Sequence, residues 1–127
     1  MKVESYKVIK QKSMKIERFE DIISWQKSRI LTLHIYQILK SSKDYSFRDQ
    51  IQRASVSIMN NIAEGFERKT NKEIIQFFYI AKGSCAEVRS MLLLGKDLKY
   101  ISDNEYIKLN DLSLDISKLL SGFIKTL

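Results

Sequence analysis

Apolar residues recur along this chain with the period of an α-helix rather than the alternation of a strand. The clearest run is Ile74, Phe78, Ala81, Cys85, Val88 and Leu92. Its alternating steps of four and three make the seam of a helix packed nearly antiparallel to its neighbours, and the pattern continues to about Leu98. A second stripe, Ile51, Ser55, Ile58 and Ile62, follows the break "SSKDYS" and predicts a helix starting near Ser46, an N-cap with Asp49 three residues on. Ahead of that break, Leu31, Ile35 and Ile38, with Trp25 and Leu39 alongside, predict a first helix from about Asp21 to Ser41. A fourth follows "KYI", with Leu109, Leu112, Ile116, Leu119 and Phe123 as its stripe. Ser102 and Glu105 have the spacing of a capping box there, and Ile101 and Tyr106 that of a hydrophobic staple.

The connection between the second and third helices, "AEGFERKTNKE", invites comparison with a phosphate-binding loop. A Walker A loop needs Gly-x-x-x-x-Gly-Lys-Ser/Thr after a strand, so that unhindered backbone N–H groups curl around the phosphates. Arg68 stands where the second glycine belongs, Ala63 where the first does, and the preceding residues are helical in period. The stretch reads instead as a helix–helix turn. Gly65 in a left-handed conformation would end the second helix, with Phe66 folding back towards Ile62. Thr70 and Glu73 would form a capping box for the third.

Short connections between long amphipathic helices make antiparallel neighbours, so the expected fold is all-α, an up-down-up-down four-helix bundle. Folding the central hairpin near residue 70 sets positions whose numbers add to about 140 opposite one another. That register places Arg53 across from Glu87, as an ion pair flanking the core. It also puts Glu64 more than two turns from Glu87, too far for paired carboxylates.

Composition sharpens this picture without changing it. The 127 residues include no proline and four glycines, with 44% hydrophobic and 29% charged residues, a balance that disfavours turn-rich β architectures. No apolar run approaches the ~18 residues that span a bilayer, the basic N-terminus lacks the apolar block of a signal peptide, and Cys85 has no second cysteine to pair with. A cytoplasmic protein without membrane association is expected. The net charge of +7 is uneven: residues 1–18 hold six basic and two acidic residues, +4, and the other 109 hold sixteen and thirteen, +3. Residues 1–18 read as a basic tail, with Met14 as an alternative start, and residues 19–127 as the bundle domain.

Little here suggests catalysis. His34 and Cys85 are the single histidine and the single cysteine, neither with a sequence-evident partner, and a di-iron bundle would need two Glu-x-x-His motifs. Neither a cofactor nor a metal is expected, and the chain reads as no enzyme. Two surfaces carry the functional expectation. With the third helix's seam at heptad positions a and d, the outward positions include Tyr79, Ile80, Leu93 and Leu94, and those of the fourth include Ile107 and Leu114. Apolar residues crowding a solvent face suggest a subunit interface. Cations suggest the other surface: Arg68, Lys69 and Lys72 around the start of the third helix, and Lys27, Arg29 and Arg53 along the first two. A helix N-terminus flanked by cations can hold a phosphate, so these six are the candidate contacts to RNA or DNA. A structural or protein-binding scaffold without nucleic acid is the alternative. Trp25, Phe77 and Phe78 lie on or beside apolar stripes, which leaves few aromatic rings to stack on bases.

Taken together, "FEDIISWQKSRILTLHIYQIL", "QIQRASVSIMNNIAEGFERKTNKEIIQFFYIAKGSCAEV" and "LLLGKDLKYI" resemble the four-helix-bundle proteins encoded by intervening sequences within bacterial 23S ribosomal RNA genes. The resemblance spans residues 19–127, and "NIAEGFERKTNKE" with "GSCAEV" is its most specific part. It implies a four-helix bundle assembled as a homopentamer, and kinship with bundle proteins that accompany reverse transcriptases in diversity-generating retroelements and pair a basic surface with nucleic acid. Further copies of the chain, RNA or DNA, and a reverse transcriptase are the partners so implied. One departure stands out: Met59 occupies a position where the family often has proline, which would remove a backbone hydrogen bond and kink the second helix.

Overall fold

Each amphipathic helix has one stripe to bury, and four helices on short connections bury all four stripes by closing into a ring around one core. In the computed structural model, which describes residues 16–127, a 3₁₀ turn (Phe19–Asp21) leads into α1 (Ile23–Ile38), α2 (Tyr45–Phe66), α3 (Asn71–Asp97) and α4 (Asp103–Lys125). Consecutive helices pack on one another and α1 closes against α4, which makes the all-α, up-down-up-down bundle. The expected basic tail falls mostly outside the described residues. Ile16 is 3% exposed, so the chain already joins the core there.

The α2–α3 hairpin is held in register along its length. Ser84 donates its hydroxyl hydrogen to the Ser57 hydroxyl at 2.9 Å. A Cβ on Gly65 would stand 2.8 Å from that of Phe77, and one on Gly95 would stand 2.8 Å from the Phe47 ring. These pairs add to 141, 142 and 142, one or two residues from the expected sum. On the far side, Lys27 reaches Asp115 at 3.6 Å and His34, further along α1, lies by Glu105 and Lys108, earlier in α4, so these two helices are also antiparallel. The loop before α2 and the loop before α4 share one end of the bundle, where the Tyr100 hydroxyl donates to Asp44 at 2.8 Å.

The stripes of α2 and α3 are buried as expected, every member from Ile51 to Ile62 and from Ile74 to Leu92. Elsewhere the structure corrects details. In α4 the buried series is Leu109, Ser113, Ile116, Leu120 and Phe123; Leu112 is only partly buried and Leu119 is exposed. Because Ser113 holds a core position, a search for apolar residues steps over it and slips onto the neighbouring row. The N-cap of α2 is Asp44, not Ser46: its carboxylate accepts from the Phe47 N–H at 3.1 Å while Tyr100, from a distant loop, binds the other oxygen. Helix α1 ends at Ile38, about a turn short of Ser41. Met59 sits within α2, which runs unbroken for 22 residues.

The largest correction concerns Gly65. It is helical, no glycine has a positive φ, and α2 continues through Phe66. Glycine is used here because α3 crosses so closely that a side chain would strike Phe77 and the Phe78 ring. Thr70 does cap α3, its hydroxyl oxygen accepting from the Glu73 N–H at 3.2 Å. The reciprocal half of a capping box is replaced, since the Thr70 hydroxyl donates to the Glu73 carboxylate at 3.0 Å. At α4 both halves are present: Ser102 accepts from the Glu105 N–H, and Glu105 accepts from the Ser102 N–H.

Candidate functional site

The six candidate cations do not converge on one face. Lys27 lies on the α1–α4 side, paired with Asp115. Arg68 holds Glu64 at 2.7 Å across one helical turn, with its guanidinium 4.6 Å above the Phe77 ring. Lys69 and Lys72 are exposed beside it, but residues 64–73 also carry Glu64, Glu67 and Glu73, so three cations meet three carboxylates. Thr70 already serves one N–H at the start of α3, so the turn sets its cations among carboxylates and a capped helix start.

Arg53 is placed differently. Among the described residues no ion pair joins it to Glu87; it lines a groove of about 540 Å³ on the outer side of α2, together with Val56, Ser57, Asn60, Asn61 and Tyr36 of α1. No carboxylate of the described residues lines this groove. Arg29, also exposed, lies seven residues before Tyr36 and therefore on the same face of α1. The floor is fixed by hydrogen bonds: Asn61 Nδ2 donates to the Ser57 carbonyl at 2.8 Å and its hydroxyl at 3.0 Å, and Ser57 is held in turn by Ser84 of α3. Tyr36, Asn60 and Asn61 were missed by sequence reading. A signal existed, since Asn60 follows Arg53, and Tyr36 follows Arg29, at the same seven-residue step.

The outward apolar residues are where the pattern put them: Tyr79, Ile80, Leu93, Leu94, Ile107 and Leu114 are all exposed. Lys96 stacks on the Tyr106 ring and Phe78 meets Phe123, pairs adding to 202 and 201, so this register sets Leu93 within two residues of Ile107 in height and Tyr79 level with about Gly122. Leu93, Ile107, Leu114 and Tyr79 thus form a band along the α3–α4 edge.

The groups with catalytic potential stand apart. Cys85 is buried in the α3 seam, and burial pushes its thiol up to about 12, against the weaker pull of Arg89 and Lys82. His34 borders a shallow cleft with Glu105 and Lys108. Among the described residues no group of three or more His, Cys, Asp or Glu side chains is arranged to hold a metal ion, and no helix is long and apolar enough to cross a membrane.

Known proteins place this geometry in a family. Among curated proteins none matches. A crystal structure from Bacteroides thetaiotaomicron, described as a protein of unknown function from the S23 ribosomal protein family, superposes with a TM-score of 0.76 at 29% identity, covering 81% of this chain and 99% of that one. The family model described as 23S rRNA-intervening sequence protein matches residues 20–122. With that match over most of its length and the bundle it folds into, the chain belongs to the 23S rRNA-intervening sequence protein family.

Proposed function

We propose that this protein is a non-enzymatic subunit of a homo-oligomer, a pentamer, that associates with RNA or DNA through charge. The α3–α4 band carries the first half of that reading. Ile107 and Tyr79 are 57% and 56% exposed, and large apolar side chains aligned on one edge of a domain are best accounted for by burial against another copy. The second half rests on charge. Five copies of a +7 chain carry +35 and repeat each weak phosphate contact around a ring, where effective concentration multiplies affinity. A scaffold that binds only protein is the second reading, and the pairing of Lys27 and Arg68 with carboxylates favours it.

Sedimentation equilibrium tests the assembly, and a monomer at micromolar concentration ends that part of the reading. Filter retention of RNA and DNA across a salt series tests the rest. Counterion release predicts affinity falling with salt at a log–log slope of about −0.9 per duplex phosphate neutralised and about −0.7 for single strands. If the intact protein retains neither polymer at ~50 mM salt, where such binding is strongly favoured, the scaffold is the correct account. The gene's surroundings bear on the biology: an intact ribosomal RNA operon around it fits the intervening-sequence setting, and a neighbouring reverse transcriptase fits the retroelement one.

A further inference from the structure

We propose that the groove on α2 seats an unpaired nucleotide, so that the protein prefers single-stranded nucleic acid to duplex; this rests on the nucleic-acid reading above and goes further by naming the site and the substrate class. Apart from Ser57, which braces the floor, the lining residues have chemical counterparts in a nucleotide. Tyr36 is 44% exposed, whereas Phe78 is buried and Phe77 lies under Arg68, so it is an aromatic ring available for stacking. Stacking suits any base, since every base has a π-face. Val56 continues the apolar surface beside it. Arg53, which has no carboxylate partner among the described residues, supplies the charge for a phosphate.

The amides complete the set. Asn61 Nδ2 donates to both oxygens of Ser57, and among the described residues its carbonyl oxygen has no protein partner, the side chain being fixed in place by the Ser57–Ser84 bond. Asn60 is exposed one residue before it. Such amides match base edges, or a ribose hydroxyl, in a way that lysines do not. The volume of about 540 Å³ falls in the range of small-molecule sites. Arg29, two helical turns or about 10 Å from Tyr36 along α1, offers a contact for a neighbouring phosphate. A duplex keeps its bases stacked inside and presents nothing to this ring. An acidic peptide would be served better by the cation-rich tail than by one arginine among amides.

Fluorescence anisotropy with a labelled single-stranded RNA of ~10 nucleotides, within the usual site size, against the duplex of the same sequence at low salt, tests this. Tyr36→Ala should weaken single-strand binding by about 5-fold to 100-fold, the range for loss of one stacked base, and leave duplex binding within about 2-fold. Tyr36→Phe should keep the preference, and Arg53→Gln should flatten the single-strand salt slope by about 0.7. If Tyr36→Ala leaves single-strand affinity unchanged, or lowers both forms equally, the groove is not the seat although the protein binds nucleic acid. If the intact protein binds neither form, the charge-based reading has failed. The groove is then judged alone, by titrating adenosine monophosphate while observing the side-chain amide NMR signals of Asn60 and Asn61; unmoved signals at millimolar nucleotide overturn it. Poly-glutamate competing with the same dependence on Tyr36 also overturns it in favour of a peptide site.

Discussion

The hydroxyl of Ser84 on α3 donates to that of Ser57 on α2 at 2.9 Å, and Ser57 accepts from Asn61 at 3.0 Å, so the bond that registers the central hairpin also steadies the floor of the groove. Ser84→Ala should therefore cost about 1 kcal/mol in urea denaturation, the net value of one hydrogen bond. It should also weaken single-strand RNA binding a few-fold without touching the ligand. Unchanged binding in a destabilised variant would separate the register from the groove.

Glycine positions should divide by what their missing side chain would meet. Gly65→Ala drives a methyl group against the Phe77 Cβ, which cannot swing aside, and should cost about 1–3 kcal/mol, as overpacking does. At Gly95 the obstacles are the tips of Ile101 and Phe47, which can shift, so Gly95→Ala should cost less. Gly83 has nothing within 4 Å, and there alanine should stabilise by up to about 1 kcal/mol through helix propensity. Chemical denaturation of the three variants gives the order.

Asp44 and Tyr100 link the two loops at one end, and their bond should show in the pH dependence of stability. The Tyr100 hydroxyl, then the Phe47 N–H, hold the Asp44 carboxyl below its ordinary 3.8. A carboxylate depressed in the folded state contributes stability that is complete above its unfolded value and is lost as pH falls through the folded one. Tyr100 is raised above 10.0, first by the hydrogen bond to Asp44 and then by desolvation, so its contribution is complete below pH 10.0 and fades as pH rises beyond it. Tyr100→Phe should flatten both limbs of a plot of urea midpoint against pH.

The α3–α4 band should behave as surface within one subunit and as core within the assembly. Leu93 of the band and its outward neighbour Leu94 are each 46% exposed, so replacing both with serine should leave the helical circular dichroism intact while sedimentation equilibrium shows smaller species. Loss of helicity would mean that these side chains support their own subunit instead.

Cys85 should be nearly inert while the protein is folded. A thiol raised from 9.0 to about 12 has a thiolate about a thousand-fold scarcer at neutral pH, besides being buried. Iodoacetamide at mildly alkaline pH should label it only on unfolding, with a rate that follows denaturant concentration.

Read along the chain alone, residue pattern predicts the four helices, the buried rows of α2 and α3, the caps at Thr70 and Ser102, the antiparallel register to within two residues and the outward apolar positions. All of these follow from periodicity and capping, which are local properties of backbone geometry. It did not determine what depends on a neighbour remote in the chain. Asp44 caps α2 with help from Tyr100, 56 residues away. Gly65 looked like a helix end because glycine commonly serves there, whereas α3 passing 2.8 Å from its absent Cβ is the actual reason for it. Ser113 and Leu120 took core positions that an apolar search assigned to Leu112 and Leu119. The cations follow the same division: their presence was legible, but only packing paired Lys27 and Arg68 with carboxylates and set Arg53 beside Tyr36, because the path of one helix across another is fixed by side chains that meet only in the folded bundle.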